Sequence, residues 1–167
     1  MNNYFKNQIR DYKSKDSNSL KGKKGIYVTA FTDASFCPMT KAAGWGIWIK
    51  FGVNGSTYRD SGGYLSKKED GSAKAELDAL ERVVDILINY DKIDVKDKIV
   101  IIQSDCKWAL QNLSTDKITS LGATRVDKRW VKGHNGKKDK RSAINTWCDA
   151  VAKDEMRIVR KWIRSNE

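Results

Sequence analysis

Four acidic residues that lie far apart in the sequence could do chemistry together: Asp33, Glu76, Asp105 and Asp149. Asp33 and Asp105 each follow an apolar segment, and the other two lie in segments with a helical pattern. We expect no cationic partner for them from the neighbouring sequence, so the carboxylates would repel one another if they were gathered. A divalent metal ion bound among the carboxylates would offset this repulsion. Mg²⁺ binds carboxylate oxygens, and two ions about 4 Å apart can stabilise both oxygens of a phosphodiester displacement.

Glu76 is the most informative of these acids. It precedes Leu80 by four residues and Val83 by seven, which places it on the apolar side of a helix. A carboxylate avoids such surroundings unless it is paired or bound to metal. Lys74, two residues away, cannot reach it along a helix. A functional role is therefore favoured over that of an ordinary acid in a first helical turn, whereas Asp33 taken alone would be a common turn residue.

The elements that must position these acids follow from the hydrophobic pattern. Three β-rich segments separated by turn residues predict an antiparallel meander. A helix with Ser72 as its N-cap, a continuously apolar strand, a short helix, a further strand and a long helix follow. In order, the predicted segments are strands 26–32, 44–51 and 57–65, helix 72–89, strand 98–105, helix 106–113, strand 124–134 and helix 143–164. The order βββαβαβα predicts an α/β fold with a five-stranded mixed sheet flanked by helices. Trp130 is expected in its core, and Trp45 and Trp48 on opposite sides of a strand.

Composition indicates the class of partner. The 167 residues carry 32 Lys and Arg against 21 Asp and Glu, a formal net charge of +11. This excess favours nucleic acid as a partner over a membrane. Residues 1–25 read as a basic, flexible arm ahead of a domain that spans 26–167. Three cysteines and one histidine form no zinc pattern. We expect a monomeric protein in the reducing cytoplasm, without a signal peptide or membrane span.

The motifs resemble those of type 1 ribonuclease H. The matching segments are 32–35 (TDAS), 75–77 (AEL), 103–105 (QSD), 130–134 (WVKGH) and 148–152 (CDAVA). Each is weak alone, but all five occur in the family's order and on the expected elements. The resemblance implies a ribonuclease H-like fold and an endonuclease that cuts the RNA strand of RNA–DNA hybrids with two Mg²⁺ ions, for which Mn²⁺ could substitute.

The resemblance also implies roles for individual residues. Asp33, Glu76, Asp105 and Asp149 would be the catalytic metal ligands, with Asp33 bridging both ions. His134, in a glycine-containing polar loop, matches the family's mobile histidine and would assist proton transfer or product release. The residues expected to contact nucleic acid are Ser35, Ser72, Lys132, Asn135, Lys137, Lys138 and Arg141.

Two other functions stay open. Ala73 stands where the family usually has an asparagine that contacts 2′-hydroxyl groups, so strict selection of hybrids does not follow from the motifs. One alternative is a non-catalytic protein that binds hybrid or duplex nucleic acid on the same fold. The other is a DNA-cutting nuclease of the resolvase or transposase kind.

Overall fold

The computed structural model describes residues 4–10, 26–132 and 140–167, with side chains for 26–132 and 143–167. Within these ranges the chain forms six strands and four helices. They are β1 Tyr4–Arg10, β2 Tyr27–Phe36, β3 Ala42–Phe51, β4 Ser56–Leu65, α1 Ser72–Asn89, β5 Ile99–Ser104, α2 Lys107–Asn112, α3 Asp116–Ser120, β6 Arg125–Trp130 and α4 Lys140–Ser165.

The strands form one mixed sheet in the order β1-β4-β3-β2-β5-β6. Strands β2, β3 and β4 make the expected antiparallel meander, while β5 joins β2 and β6 joins β5 in parallel. Parallel neighbours require crossover connections, and the helices between them supply these. The predicted five-stranded mixed sheet with flanking helices is thus confirmed for β2 to β6.

The structure differs from expectation at the N-terminus. Tyr4–Arg10, which belong to the segment interpreted as a flexible arm, form an additional edge strand antiparallel to β4, with Tyr4 opposite Gly63 and Arg10 opposite Thr57. The sequence of these residues, YFKNQIR, is polar at several positions and contains no apolar run like that of β5. Charged residues such as Lys6 and Arg10 are common in edge strands. The remainder of the predicted arm lies outside the described residues.

Smaller differences concern local signals. The N-cap of α1 is Gly71, and Ser72 is the first helical residue, so the prediction of Ser72 as the cap was wrong. The short helix α3 was not predicted. Trp130 is 46% exposed rather than in the core.

The main core lies between α1 and the sheet. Helix α1 buries the predicted stripe, including Leu77, Leu80, Val83 and Leu87, against apolar side chains of the central strands. Trp45 is buried in this core, while Trp48 packs edge-on against Trp147 of α4, at a ring-centroid distance of 5.4 Å. The two tryptophans therefore lie on opposite faces of β3, as predicted.

Glycine allows α4 to approach the other face of the sheet closely. A Cβ atom at Gly46 would lie only 2.5 Å from the Cys148 carbonyl oxygen. Gly46 is also the residue of β3 directly opposite Asp33. Close packing at this position therefore brings the part of α4 that carries Asp149 towards Asp33. Within the described residues, none of the helices has the length and apolar character needed to cross a membrane.

Candidate metal centre

Sheet register explains why Asp33 and Asp105 meet. The parallel ladder between β2 and β5 ends at the pair Phe31 and Gln103. Asp33 lies two residues beyond Phe31, and Asp105 lies two residues beyond Gln103. Side chains two residues apart in an extended chain point to the same side. The two aspartates are thus level with each other at the carboxyl end of adjacent parallel strands, the edge at which open α/β sheets place their sites.

Helix α1 brings Glu76 to the same place. Its neighbours Ala75 and Leu77 are buried, and Glu76 itself is half-buried, as predicted. Oxygen atoms of Asp33, Glu76 and Asp105 all lie within 4.8 Å of one another. The structure therefore brings together three of the four predicted carboxylates.

Burial and mutual repulsion disfavour the charged form of this cluster. Burial, followed by repulsion from Asp105 and Asp149, raises the pKa of Asp33 to about 7, although its Oδ1 accepts a hydrogen bond from the Ala34 N–H at 2.9 Å. Burial, followed by repulsion from Asp33 and Asp105, raises the pKa of Glu76 to about 10. Without a neighbouring cation, ionisation of Asp33 and Glu76 is therefore disfavoured.

The donor set fits a hard divalent cation. All three groups offer carboxylate oxygens, the ligands that Mg²⁺ and Mn²⁺ prefer. The Oε2 atom of Glu76 is buried and has no hydrogen-bond partner among the described residues. A buried carboxylate oxygen normally has a partner. A cation among the three carboxylates would supply that partner and offset their repulsion.

Asp149 is arranged differently. Its Oδ2 accepts a hydrogen bond from Lys153 Nζ at 2.8 Å, one helical turn along α4. It does not join the compact cluster of Asp33, Glu76 and Asp105, although its charge contributes to the raised pKa of Asp33. The expectation that the four acids have no nearby cationic partner was therefore wrong for Asp149. The spacing of four residues between an acid and a lysine on a helix could have revealed the pair.

The structure describes some of the residues that were predicted to contact nucleic acid. Ser35 lies in β2, two residues beyond Asp33, Ser72 is exposed at the start of α1, and Lys132 is exposed shortly after β6. Ser35 and Ser72 are thus close in sequence to Asp33 and Glu76, respectively, and Lys132 follows β6, the strand next to β5. His134, Asn135, Lys137 and Lys138 lie outside the described residues, as does the side chain of Arg141.

Sequence reasoning also missed a contact to the backbone of the site. The indole N–H of Trp130 donates a hydrogen bond of 2.9 Å to the carbonyl oxygen of Asp105. Trp130 was expected in the core because tryptophan is usually mostly buried. Its position at the end of a strand next to β5 was the available signal, but a side-chain direction cannot be read from that spacing.

Comparisons with known proteins support the fold. No protein-family model matches this sequence, and no curated protein matches it either. Solved structures do match. LC11-RNase H1 in complex with an RNA/DNA hybrid has a TM-score of 0.56 and 16% identity, covering 79% of this chain and 98% of its own.

Two further structures give the same result. The N-terminal RNase H domain of a Mycobacterium tuberculosis protein matches with a TM-score of 0.51 and 12% identity, over 81% of this chain and 97% of the other. RNase H1 from the archaeon Halobacterium salinarum matches with a TM-score of 0.51 and 16% identity, over 78% and 97%. This chain therefore has a ribonuclease H-like fold. At 12–16% identity these matches show a shared fold only. Any functional assignment has to rest on the residues of this chain.

Proposed function

We propose that this chain is a divalent-metal-dependent endonuclease that hydrolyses the RNA strand of RNA–DNA hybrids. The observation that carries the proposal is the cluster of Asp33, Glu76 and Asp105, which each place a carboxylate oxygen within 4.8 Å of the other two. Repulsion and burial oppose the ionisation of Asp33 and Glu76, and a cation among the carboxylates would offset both effects. Asp33 and Asp105 of this cluster lie towards the carboxyl ends of β2 and β5, and Glu76 lies on α1.

The residues of the cluster would bind Mg²⁺, or Mn²⁺ in its place, and Asp149 would contribute to a second ion. A bound divalent ion supplies Lewis-acid stabilisation of the phosphodiester and lowers the pKa of water. The chain itself supplies rigid placement, because Asp33 and Asp105 extend from paired strands and Glu76 from a packed helix. His134 is proposed to assist proton transfer or product release.

Charge and one of the structural neighbours support the choice of substrate. The net charge of +11 favours a polyanion, and LC11-RNase H1 was solved with an RNA/DNA hybrid. We propose that the polar and basic residues around the strand ends contact the sugar–phosphate backbone. These residues are Ser35, Ser72, Lys132, Asn135, Lys137, Lys138 and Arg141.

A cleavage assay on several polymers tests this function. The purified chain is incubated in Mg²⁺ with labelled hybrid, duplex DNA, duplex RNA and single strands, with and without chelator. We expect loss of the RNA strand of the hybrid alone, and no loss with chelator. Asp105→Asn should abolish cleavage, because it removes a proposed metal ligand, whereas Asp116→Asn, which changes an exposed aspartate on α3, should retain it.

Ala73 supports testing a DNA-cutting nuclease as a second candidate. It is a half-buried residue in the first turn of α1, three residues before Glu76, and offers no side-chain group that could bind a 2′-hydroxyl. Metal-dependent cutting of duplex DNA with the hybrid intact would favour this candidate. Tight hybrid binding without loss of any polymer would instead indicate a non-catalytic binding protein.

A further inference from the structure

Trp130 contacts the segment that carries Asp105 in two places. Its indole N–H donates to the Asp105 carbonyl oxygen at 2.9 Å. The face of the same ring lies 4.3 Å from the Lys107 ammonium nitrogen, measured to the ring centroid. A single side chain from β6 thus holds the turn between β5 and α2 both at Asp105 and at Lys107.

These contacts occur where the sheet no longer constrains the backbone. The parallel ladder of β5 and β6 ends at the pair Ser104 and Trp130, and one further bond joins the Val131 N–H to the Ser104 carbonyl oxygen at 3.0 Å. Asp105 lies one residue beyond that ladder, and α2 begins at Lys107. The Trp130 indole therefore extends the connection between β5 and β6 by one residue, to the residue whose carboxylate belongs to the cluster.

We propose that Trp130 is a positioning residue for Asp105 and so sets the affinity of the metal centre. Rotation of the Asp105 peptide would redirect its side chain away from Asp33 and Glu76, and the indole hydrogen bond opposes that rotation. Groups that orient metal ligands commonly affect metal affinity strongly. The exposed position of Trp130, at 46%, indicates that its side chain contributes little to the core. This inference rests on the proposed function.

Removal of the indole N–H tests the inference. Binding of Mn²⁺ is measured by calorimetry for the wild type, Trp130→Phe and Trp162→Phe. Phe retains a ring face for Lys107 but has no N–H. Trp162 is 52% exposed near the end of α4 and serves as the matched control. We expect Trp130→Phe to weaken Mn²⁺ binding about threefold or more, in line with the modest worth of one hydrogen bond, and Trp162→Phe to leave it unchanged.

A second variant separates hydrogen bonding from shape. Benzothienylalanine introduced at position 130 has the shape of tryptophan but lacks the N–H, so it should weaken Mn²⁺ binding as Trp130→Phe does, with an unchanged melting temperature. Wild-type affinity in this variant would overturn the inference while leaving the proposed function intact. If the wild type itself shows no Mn²⁺ binding that Asp105→Asn abolishes, both the proposed function and the inference fall.

Discussion

At the scale of single residues, the central feature is a carboxylate placed where charge is unfavourable. Glu76 lies on the half-buried side of α1, close to Asp33 and Asp105, and its Oε2 lacks a partner among the described residues. Proteins retain such groups at functional sites because function requires them, at the expense of stability. Above about pH 5 the metal-free protein should therefore be less stable than a variant in which an amide replaces this acid.

Glu76→Gln should stabilise the metal-free protein at high pH. The pKa of Glu76 is raised from 4.5 to about 10, so the folded state binds more protons than the unfolded state between these values, and stability falls as pH rises through this window. The free energy of unfolding of Glu76→Gln, relative to wild type, should thus be near zero below pH 4.5 and rise to about 1 kcal/mol or more by pH 9.

Urea unfolding in chelator at several pH values measures this difference. Glu81→Gln makes the same chemical change at an exposed position of the same helix and should show no such trend. If the free energies of unfolding of Glu76→Gln and wild type differed by the same amount at every pH, burial and the neighbouring carboxylates would not raise the pKa of Glu76.

At the scale of elements, the site depends on how closely α4 packs on β3. Gly46 lies opposite Asp33 and against the Cys148 carbonyl, next to Asp149 in the sequence. Gly46→Ala would place a Cβ atom 2.5 Å from that oxygen, and backbone cannot move aside as a flexible side chain can. We expect a destabilisation of about 1–3 kcal/mol, as for other overpacked positions.

Thermal and urea unfolding measure this effect. Gly71→Ala is the comparison variant, because a Cβ atom at Gly71 meets nothing within 4 Å and its φ of −127° suits any residue. Gly71 is the N-cap of α1, so its replacement by Ala should cost less than about 1 kcal/mol. Equal stability of the two variants would show that α4 is not held at this distance by Gly46.

The elements differ in how far sequence could predict them. The apolar runs and the helical stripe of α1 predicted β2 to β5, the first helix and the meeting of Asp33 with Asp105, because periodicity and strand ends are local signals. The pairing of Tyr4–Arg10 with β4 could not be predicted in this way, since it depends on a distant edge and not on an apolar pattern. Likewise, the exposure of Trp130 depends on what covers the end of β6.

In the candidate site, too, features with a local sequence signal could be predicted, whereas features that depend on tertiary structure could not. Glu76 was identified from its helical face alone, whereas the ion pair of Asp149 with Lys153 was overlooked despite its regular spacing. The indole bond from Trp130 to the Asp105 carbonyl depends on a rotamer in a neighbouring strand. Tertiary choices of this kind leave no local signal in the sequence.

At the scale of the whole molecule, the excess positive charge should contribute to nucleic-acid binding. Deleting residues 1–24 would also remove β1, so the contribution of the remaining arm is better tested by substitution. Replacing Lys13, Lys15, Lys21, Lys23 and Lys24 with Gln removes five positive charges from residues 11–25. If these lysines bind phosphates, the slope of log affinity against log salt should become less steep by up to about 0.9 for each phosphate that is no longer neutralised.

Hybrid binding is measured by fluorescence anisotropy from low to moderate salt, in Ca²⁺ or with the Asp105→Asn variant to prevent cleavage. A matched set of exposed lysines on the domain, Lys67, Lys68, Lys92, Lys96 and Lys117, replaced by Gln serves as the control for net charge. Identical slopes for both variants would show that the arm lysines act through overall charge and not by binding phosphates directly.

The most direct test of the metal centre is a crystal structure determined with Mn²⁺, with data collected at the manganese absorption edge. We predict an anomalous peak within bonding distance of Asp33, Glu76 and Asp105 oxygens, and its loss in Asp105→Asn crystals grown under the same conditions. A well-ordered cluster of these side chains without any anomalous peak among them, in saturating Mn²⁺, would contradict the assignment of this site to metal-dependent chemistry.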